Sequence, residues 1–215
     1  MHVSSGGVRG AKKSGRKPGF DADDVVAAAL AEGIDTFTMS AVADRIGVVT
    51  GAIYRLFPSR DDLVVACLDT AAATLRLPGR DDDWASVLQL WADECWRVCE
   101  DFPGLSRLLY ALPTAFTRIQ HVLAAYSAAI ERSGRSTAQA MFALDFLGDT
   151  VIASHMGIVA MRVVDADGAT GWDRVRDALA DGALMQPDDS WAERGTVDVK
   201  VGFIIKGLER DWPAL

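Results

Sequence analysis

Between Thr38 and Leu63 the chain reads Thr-Met-Ser-Ala-Val-Ala-Asp-Arg-Ile-Gly-Val-Val-Thr-Gly-Ala-Ile-Tyr-Arg-Leu-Phe-Pro-Ser-Arg-Asp-Asp-Leu. The chemistry here is contact and hydrogen bonding: a hydroxyl at Thr50, no side chain at Gly51, a methyl at Ala52, a phenol at Tyr54 and a guanidinium at Arg55. The spacing predicts two short helices with a tight turn at Gly47, and a further helix capped at once by Ser59. That is the layout of a helix-turn-helix, which lays its second helix in the DNA major groove. Small and hydrogen-bonding residues stand where that helix would meet DNA.

Other groups could do different chemistry. Asp81-Asp82-Asp83 has the look of an acidic metal cluster, and equally of a loop with an N-cap before Trp84. The second reading is adopted, because no second acidic cluster is convincingly placed and an enzyme would leave the helix-turn-helix unexplained. His155 follows Asp145 and Asp149 along one helix, a pattern open to metal binding or proton sensing but also that of a satisfied core histidine. His121 is similar, and His2 falls in the tail. Cys67, Cys95 and Cys99 lack zinc-type spacing. Cys95 and Cys99 share a helix face, where they read as reduced packing residues before they read as a thiol sensor. No metal or cofactor is expected.

The net charge of -8 is unevenly divided. Residues 1–60 hold eight Lys/Arg and six Asp/Glu, +2; residues 61–215 hold fourteen and twenty-four, -10. An acidic body would orient the basic end toward DNA. Half the residues are hydrophobic, enough for a substantial core. No apolar run reads as long and charge-free enough to span a bilayer, and the N-terminus lacks the apolar stretch of a signal peptide, so no membrane association and a cytoplasmic setting are expected.

The elements that position these residues are helical throughout. Asp21 with Asp24, flanked by Phe20 and Val25, begins the first helix, and Gly33 ends it. Thr38 caps the second, with Val42 and Ile46 inward and Ala43 small at a crossing. The third runs from about Thr50 to Leu56 and stops at Pro58. A fourth extends from Ser59 to Pro78-Gly79. Periodicity predicts further helices near 82–101, 103–111, 114–133, 136–164, 170–184 and 196–211, with loops at 165–171 and 185–190. Period-two alternation is nearly absent, so the expected fold class is all-α. Residues 1–19 carry Arg9, Lys12, Lys13, Arg16 and Lys17 without an acid and are expected to form a disordered basic arm.

Phe20–Leu75 resembles the tetracycline-repressor (TetR/AcrR) family of bacterial transcription regulators. The resemblance is carried by Thr38, Val42-Ala43, Ile46-Gly47-Val48, Gly51 to Arg55, Phe57-Pro58-Ser59, Arg60 and Leu63, about a quarter of the chain. Val201-Gly-Phe-Ile-Ile-Lys-Gly-Leu-Glu209 is similar, more briefly, to the last helix of the branch containing the tetracycline repressor. Val49 departs from the family's frequent Ser or Thr before the recognition helix, which removes a cap worth roughly 1 kcal/mol.

The resemblance implies an N-terminal helix-turn-helix domain at 20–65, after the arm at 1–19, and an effector-binding and dimerisation domain at 66–215. It implies a homodimer on palindromic double-stranded DNA, released by a small molecule, with no catalytic step. The DNA contacts it implies are Thr50, Gly51, Ala52, Tyr54 and Arg55, with Thr38 and Arg60 at helix N-termini facing phosphate and Arg16 and Lys17 in the arm. An Arg60→Ala change is then expected to weaken all DNA sequences alike and lower the salt slope by about one. Arg45 is expected to be merely exposed. Trp91, Cys95, Leu109, Phe116, Phe142 and Phe146 are the expected pocket walls. Asp149, Ala153, Gly157, Ala160 and Phe203 are the expected dimer contacts. Two alternatives stay open: a DNA-binding regulator without an effector, and a helical enzyme using the acidic residues.

Overall fold

The computed structural model describes residues 19–180, 182–184 and 188–215. The N-terminal arm, with Arg16 and Lys17, and part of the 185–190 loop lie outside the described residues.

Side-chain caps set most helix starts. Asp21 and Asp24 form a reciprocal capping box at α1 (Ala22–Glu32), Thr38 accepts the Ala41 N–H at 3.1 Å to open α2 (Met39–Ile46), and Ser59 and Asp62 box the start of α4 (Arg60–Ala73). Between α2 and α3 (Thr50–Ile53), Gly47 takes the left-handed conformation with φ 72°, so its N–H reaches the Ala43 and Asp44 carbonyls. Asp83 caps α5 (Trp84–Asp101) by accepting the Ser86 N–H at 2.7 Å, and Asp82 accepts the Gly79 N–H, so the acidic run forms a loop and cap. Then follow α6 (Leu105–Ala111), a 3-10 turn (Ala115–Ile119), α7 (Gln120–Glu131), α8 (Thr137–Arg162), α9 (Gly171–Ala178), a second 3-10 turn (Asp189–Ala192) and α10 (Gly195–Arg210). Among the described residues the nearest thing to a sheet is one isolated bridge, Val164 to Thr170.

Four predicted helices are shorter or broken; α3 ends at Ile53 rather than near Leu56. α4 stops at Ala73 because the Thr74 hydroxyl donates to the Ala71 carbonyl and Arg76 is drawn to Glu94 through both its backbone N–H and its guanidinium. The 114–133 stretch opens as a 3-10 turn, with the Thr117 hydroxyl donating to the Thr114 carbonyl. α9 ends at Ala178 rather than near 184.

Two cores result. The first gathers Val25, Ala29, Ile34, Phe37, Val42 and Ile53 around Leu63 and Cys67 of α4, and continues into Val98 and Cys99 of α5 and Leu105 and Leu108 of α6. The second joins α5, α7, α8 and α10 through Leu88, Trp91, Tyr126, Leu144, Leu147 and Val201. Because α4 to α6 reach into the first core, the two ends of the molecule are mechanically connected.

The long helix α8 corrects one expectation: by length and composition it is apolar enough to cross a membrane. Its apolarity has two sides. Ala140, Leu144, Leu147 and Val151 are buried inside the molecule, while Phe142, Phe146, Ala153, Gly157 and Ala160 line the outer face. Asp145 and Asp149 interrupt the run, which is why the sequence does not read as a span.

Candidate DNA-reading face and interior cavity

Ile53 is completely buried and anchors α3, so the rest of that short helix is turned outward. Gly51 of α3 and Tyr54 and Arg55 just after it are exposed, and Thr50 and Ala52 of α3 are half-buried. A Cβ at Gly51 would meet nothing within 4 Å, and the residue has no positive φ. Folding therefore places no demand for glycine there; only something approaching from outside would notice the missing side chain. Val49 sits at the N-cap, 76% exposed and without a side-chain hydrogen bond, as its chemistry requires. The Thr38 hydroxyl is used as a cap and still faces solvent.

Two arginines differ from expectation. The Arg60 guanidinium turns back into the fold: Nε donates to the Phe37 carbonyl at 3.0 Å, a terminal nitrogen donates to the Asp35 carbonyl at 2.9 Å, and the group stacks over the Phe37 ring. These carbonyls follow α1 and precede α2, where the backbone lacks helical partners, so Arg60 ties α4 to the helix-turn-helix instead of presenting its charge to phosphate. Arg45 is paired with Glu32 at 2.6 Å and is not merely exposed.

Behind this face lies a cavity of about 590 Å³ bounded by α4 to α8. Trp91, Cys95, Leu109 and Phe116 line it, as expected from the sequence. Phe142 and Phe146 do not. Their rings pack on each other, centroids 5.8 Å apart, on the exposed side of α8. The register explains the correction. Met141, Leu144, Asp145, Gly148, Asp149 and Ile152 recur every three or four residues and face the cavity. Phe142 and Phe146 fall roughly a quarter-turn away. Asp149, expected at a dimer contact, borders the cavity.

The thiols behave as packing groups. All three are buried and free. Burial pushes Cys67 and Cys99 up to about 12, and Cys95 well above the usual thiol range. His155 is buried with both ring nitrogens engaged, Nδ1 with the Ser106 hydroxyl at 3.2 Å and Nε2 with Glu100 at 3.1 Å. Burial lowers its pKa against the opposing pull of Glu100. It is a satisfied core histidine, and no cluster able to hold a metal ion occurs among the described residues.

Two paths connect the cavity to the candidate DNA-reading face. Leu68, Ala71 and Ala72 of α4 form one wall, and Leu105, Leu109 and Leu112 in and after α6 form another. The start of α6 is latched to the N-terminal domain: Ile34 N–H donates to the Pro103 carbonyl at 3.1 Å and Arg107 pairs with Asp35 at 2.6 Å. Gly104, with φ 91°, lets Asp35 in, since a Cβ there would lie 1.8 Å from an Asp35 oxygen. Sequence reading missed this latch, because Asp35 and Arg107 are 72 residues apart.

An outward-facing short helix after a tight glycine turn, mounted on a helical body with a cavity, is the layout of a helix-turn-helix domain joined to a second helical unit. Residues 26–67 match the model of the bacterial regulatory proteins of the tetR family. The match spans most of α1, α2, α3 and the first part of α4. No curated protein matches the chain in sequence. The fold is shared with solved structures. A possible TetR family transcriptional regulator from Streptomyces coelicolor A3(2) gives a TM-score of 0.71 at 19% identity, covering 88% of this chain and 99% of that one. TetR from Acinetobacter baumannii AYE gives 0.60 at 19% identity, covering 89% and 97%. A variant of that TetR in complex with minocycline gives 0.60 at 20% identity, with the same coverage.

Proposed function

We propose that the chain is a homodimeric repressor that binds a palindromic operator through Thr50, Gly51, Ala52, Tyr54 and Arg55 and is released by a small molecule held in the cavity. The observation that carries this reading is one set of helices with two duties. α4 and α6 wall the cavity, and the same two helices are fastened to the helix-turn-helix through Arg60, Asp35 and Arg107. A ligand that prefers one position of α6 must bias the position of α3 through these ties. The cavity size suits a drug-sized ligand, and the likeness in fold to a minocycline-bound TetR variant favours the same use.

Dimerisation is supported by the outer face of α8 with α10. Ala153, Gly157 and Ala160 are exposed on α8, and Phe203 on α10 is 79% exposed beside Val199. Small residues on one helix and a large ring on the next suit close helix packing, and so large an apolar face marks an interaction surface. A symmetric dimer would place two copies of α3 about 34–36 Å apart, in successive major grooves. Nothing in this machinery performs a reaction.

The test is binding of the purified protein to labelled DNA from the flanks of its own gene across a salt series, with random DNA of equal length as control. Saturable preference for one palindromic segment, with affinity falling steeply with salt, is the expected result. Absence of binding to either DNA at low salt would overturn the reading.

A further inference from the structure

The polarity of the cavity changes with depth. Every charged or amide side chain in its lining, Arg118, Gln120, Asp145 and Asp149, is exposed and so stands at the mouth. The mouth offers partners of both signs. Its carboxylates accept, Arg118 keeps N–H groups beyond those it gives to Asp69, and Gln120 keeps one beyond its bond to the Phe116 carbonyl. The buried part of the lining is different. Leu68, Ala71, Leu105 and Leu144 present hydrocarbon alone. Among the described residues, only Trp91 and Cys95 bring a side-chain heteroatom to the buried lining. The Trp91 N–H is already given to the Leu144 carbonyl at 2.8 Å, and a thiol is a weak partner. A hydroxyl or charge carried to that depth would lose its water without replacement.

Gly148 lies at this inner end, buried in the middle of α8. Glycine weakens a helix interior relative to alanine, so its place there needs a reason. Backbone conformation supplies none, since Gly148 has no positive φ. Crowding supplies none either: the nearest atom to an added Cβ is the Trp91 indole nitrogen at 3.4 Å, an ordinary contact. What the missing side chain leaves is room in the cavity wall beside the indole.

We propose that the cavity takes a one-ended amphiphile, apolar end first: a hydrocarbon ring seats beside Gly148 and Trp91 while the polar group stays at the mouth. Gly148 sets how deep the ring can go and is the specificity-determining position. This rests on the reading of the cavity as the effector site and specifies the ligand class and its orientation. Burial of hydrocarbon supplies the affinity, and the buried wall rejects a second polar end.

Two rigid rods of nearly equal shape test the orientation: para-phenylphenol, with a hydroxyl at one end, and para-biphenol, with a hydroxyl at each. Calorimetric titration into the full chain is expected to show the phenylphenol binding about tenfold tighter, because one hydroxyl of the biphenol must enter the buried end. Gly148→Ala is expected to raise the thermal unfolding midpoint by about 2 °C while weakening the phenylphenol. Gly148→Leu, whose side chain runs further into the cavity, is expected to weaken it by about tenfold or more. Biphenol binding within about twofold of the phenylphenol or tighter, or no binding of either rod, would overturn the proposal. So would a Gly148→Ala variant with a lowered midpoint, which would show that the glycine serves the indole–carbonyl bond, or one that binds the phenylphenol as well as the parent does. Release of operator DNA is scored separately. A phenylphenol that binds with the expected preference but leaves DNA bound supports the ligand class and counts against the effector reading. A biphenol that binds equally well and releases DNA supports the effector reading and refutes the ligand class.

Discussion

Replacing Glu94 by glutamine keeps the side chain's shape and removes its charge at a point where three segments meet. Glu94 is 0% exposed on α5. It accepts the Arg76 backbone N–H at 2.8 Å and pairs with the Arg76 and Arg97 guanidinium groups, each at 2.6 Å. Arg97 also donates to the Thr74 carbonyl, and the Tyr126 hydroxyl donates to the Arg76 carbonyl. The carboxylate therefore pins the end of α4, which walls the cavity, onto α5 and α7. Burial alone would raise its pKa. The hydrogen bonds from Arg97 and Arg76 outweigh burial and hold it at about 2, from an ordinary 4.5.

That depression corresponds to about 3 kcal/mol of preference for the charged form, reduced to about 2 kcal/mol because Arg76 is largely exposed and screened. The folded-state pKa lies below the unfolded value. The contribution is therefore complete above about pH 4.5 and is lost as pH falls toward 2. Glutamine would also point an amide N–H₂ at arginine donors inside the protein, so at pH 7 the variant is expected to lose about 3 kcal/mol. Urea unfolding of both proteins at one protomer concentration, from pH 7 down to pH 3, measures this. The gap between them should narrow on acidification, with about half of the carboxylate's contribution gone by pH 3. A gap that stays constant with pH, or a variant as stable as the parent at pH 7, would refute the reasoning.

Four further outcomes are expected. Val49→Ser supplies the missing cap of α3 and should stabilise the protein by about 0.5–1 kcal/mol in thermal unfolding; a loss would show that Val49 packs in some way its exposure conceals. Gly51→Leu meets open space within the chain, so the fold should hold while operator affinity drops at least tenfold in a gel-shift titration; unchanged affinity would remove Gly51 from the DNA face. Arg60→Met should cost about 1–3 kcal/mol, since two backbone carbonyls lose a charged donor, and leave the salt slope of DNA binding unchanged; a slope lowered by about one would restore the phosphate role. Phe203→Glu should yield monomers in analytical ultracentrifugation, and a dimer that persists would place the interface elsewhere.

The helix starts, the turn and the helix-turn-helix layout were written locally. Asp21, Thr38, Ser59 and Gly47 act on backbone groups within a few residues, so their meaning survives in the linear chain. The same holds for Gly51 and Val49, whose significance lies in what they lack. Half-turn register decided the rest. Phe142 and Phe146 read as well as Leu144 for a pocket wall, because a helix apolar on both sides gives no periodic signal for which side faces inward. Only the packing of α8 against α5 and α7 turned Asp145 and Asp149 to the cavity and the two phenylalanines outward. Arg60 looked free because its neighbours in sequence are charged and polar. Its partners, Asp35 and Phe37, lie more than twenty residues away. The Asp35–Arg107 latch spans 72 residues. Local sequence fixes hydrogen bonds that close over three or four residues; contacts across such distances exist only after helices have packed, so tertiary structure alone could reveal how the cavity is tied to the DNA-reading helix.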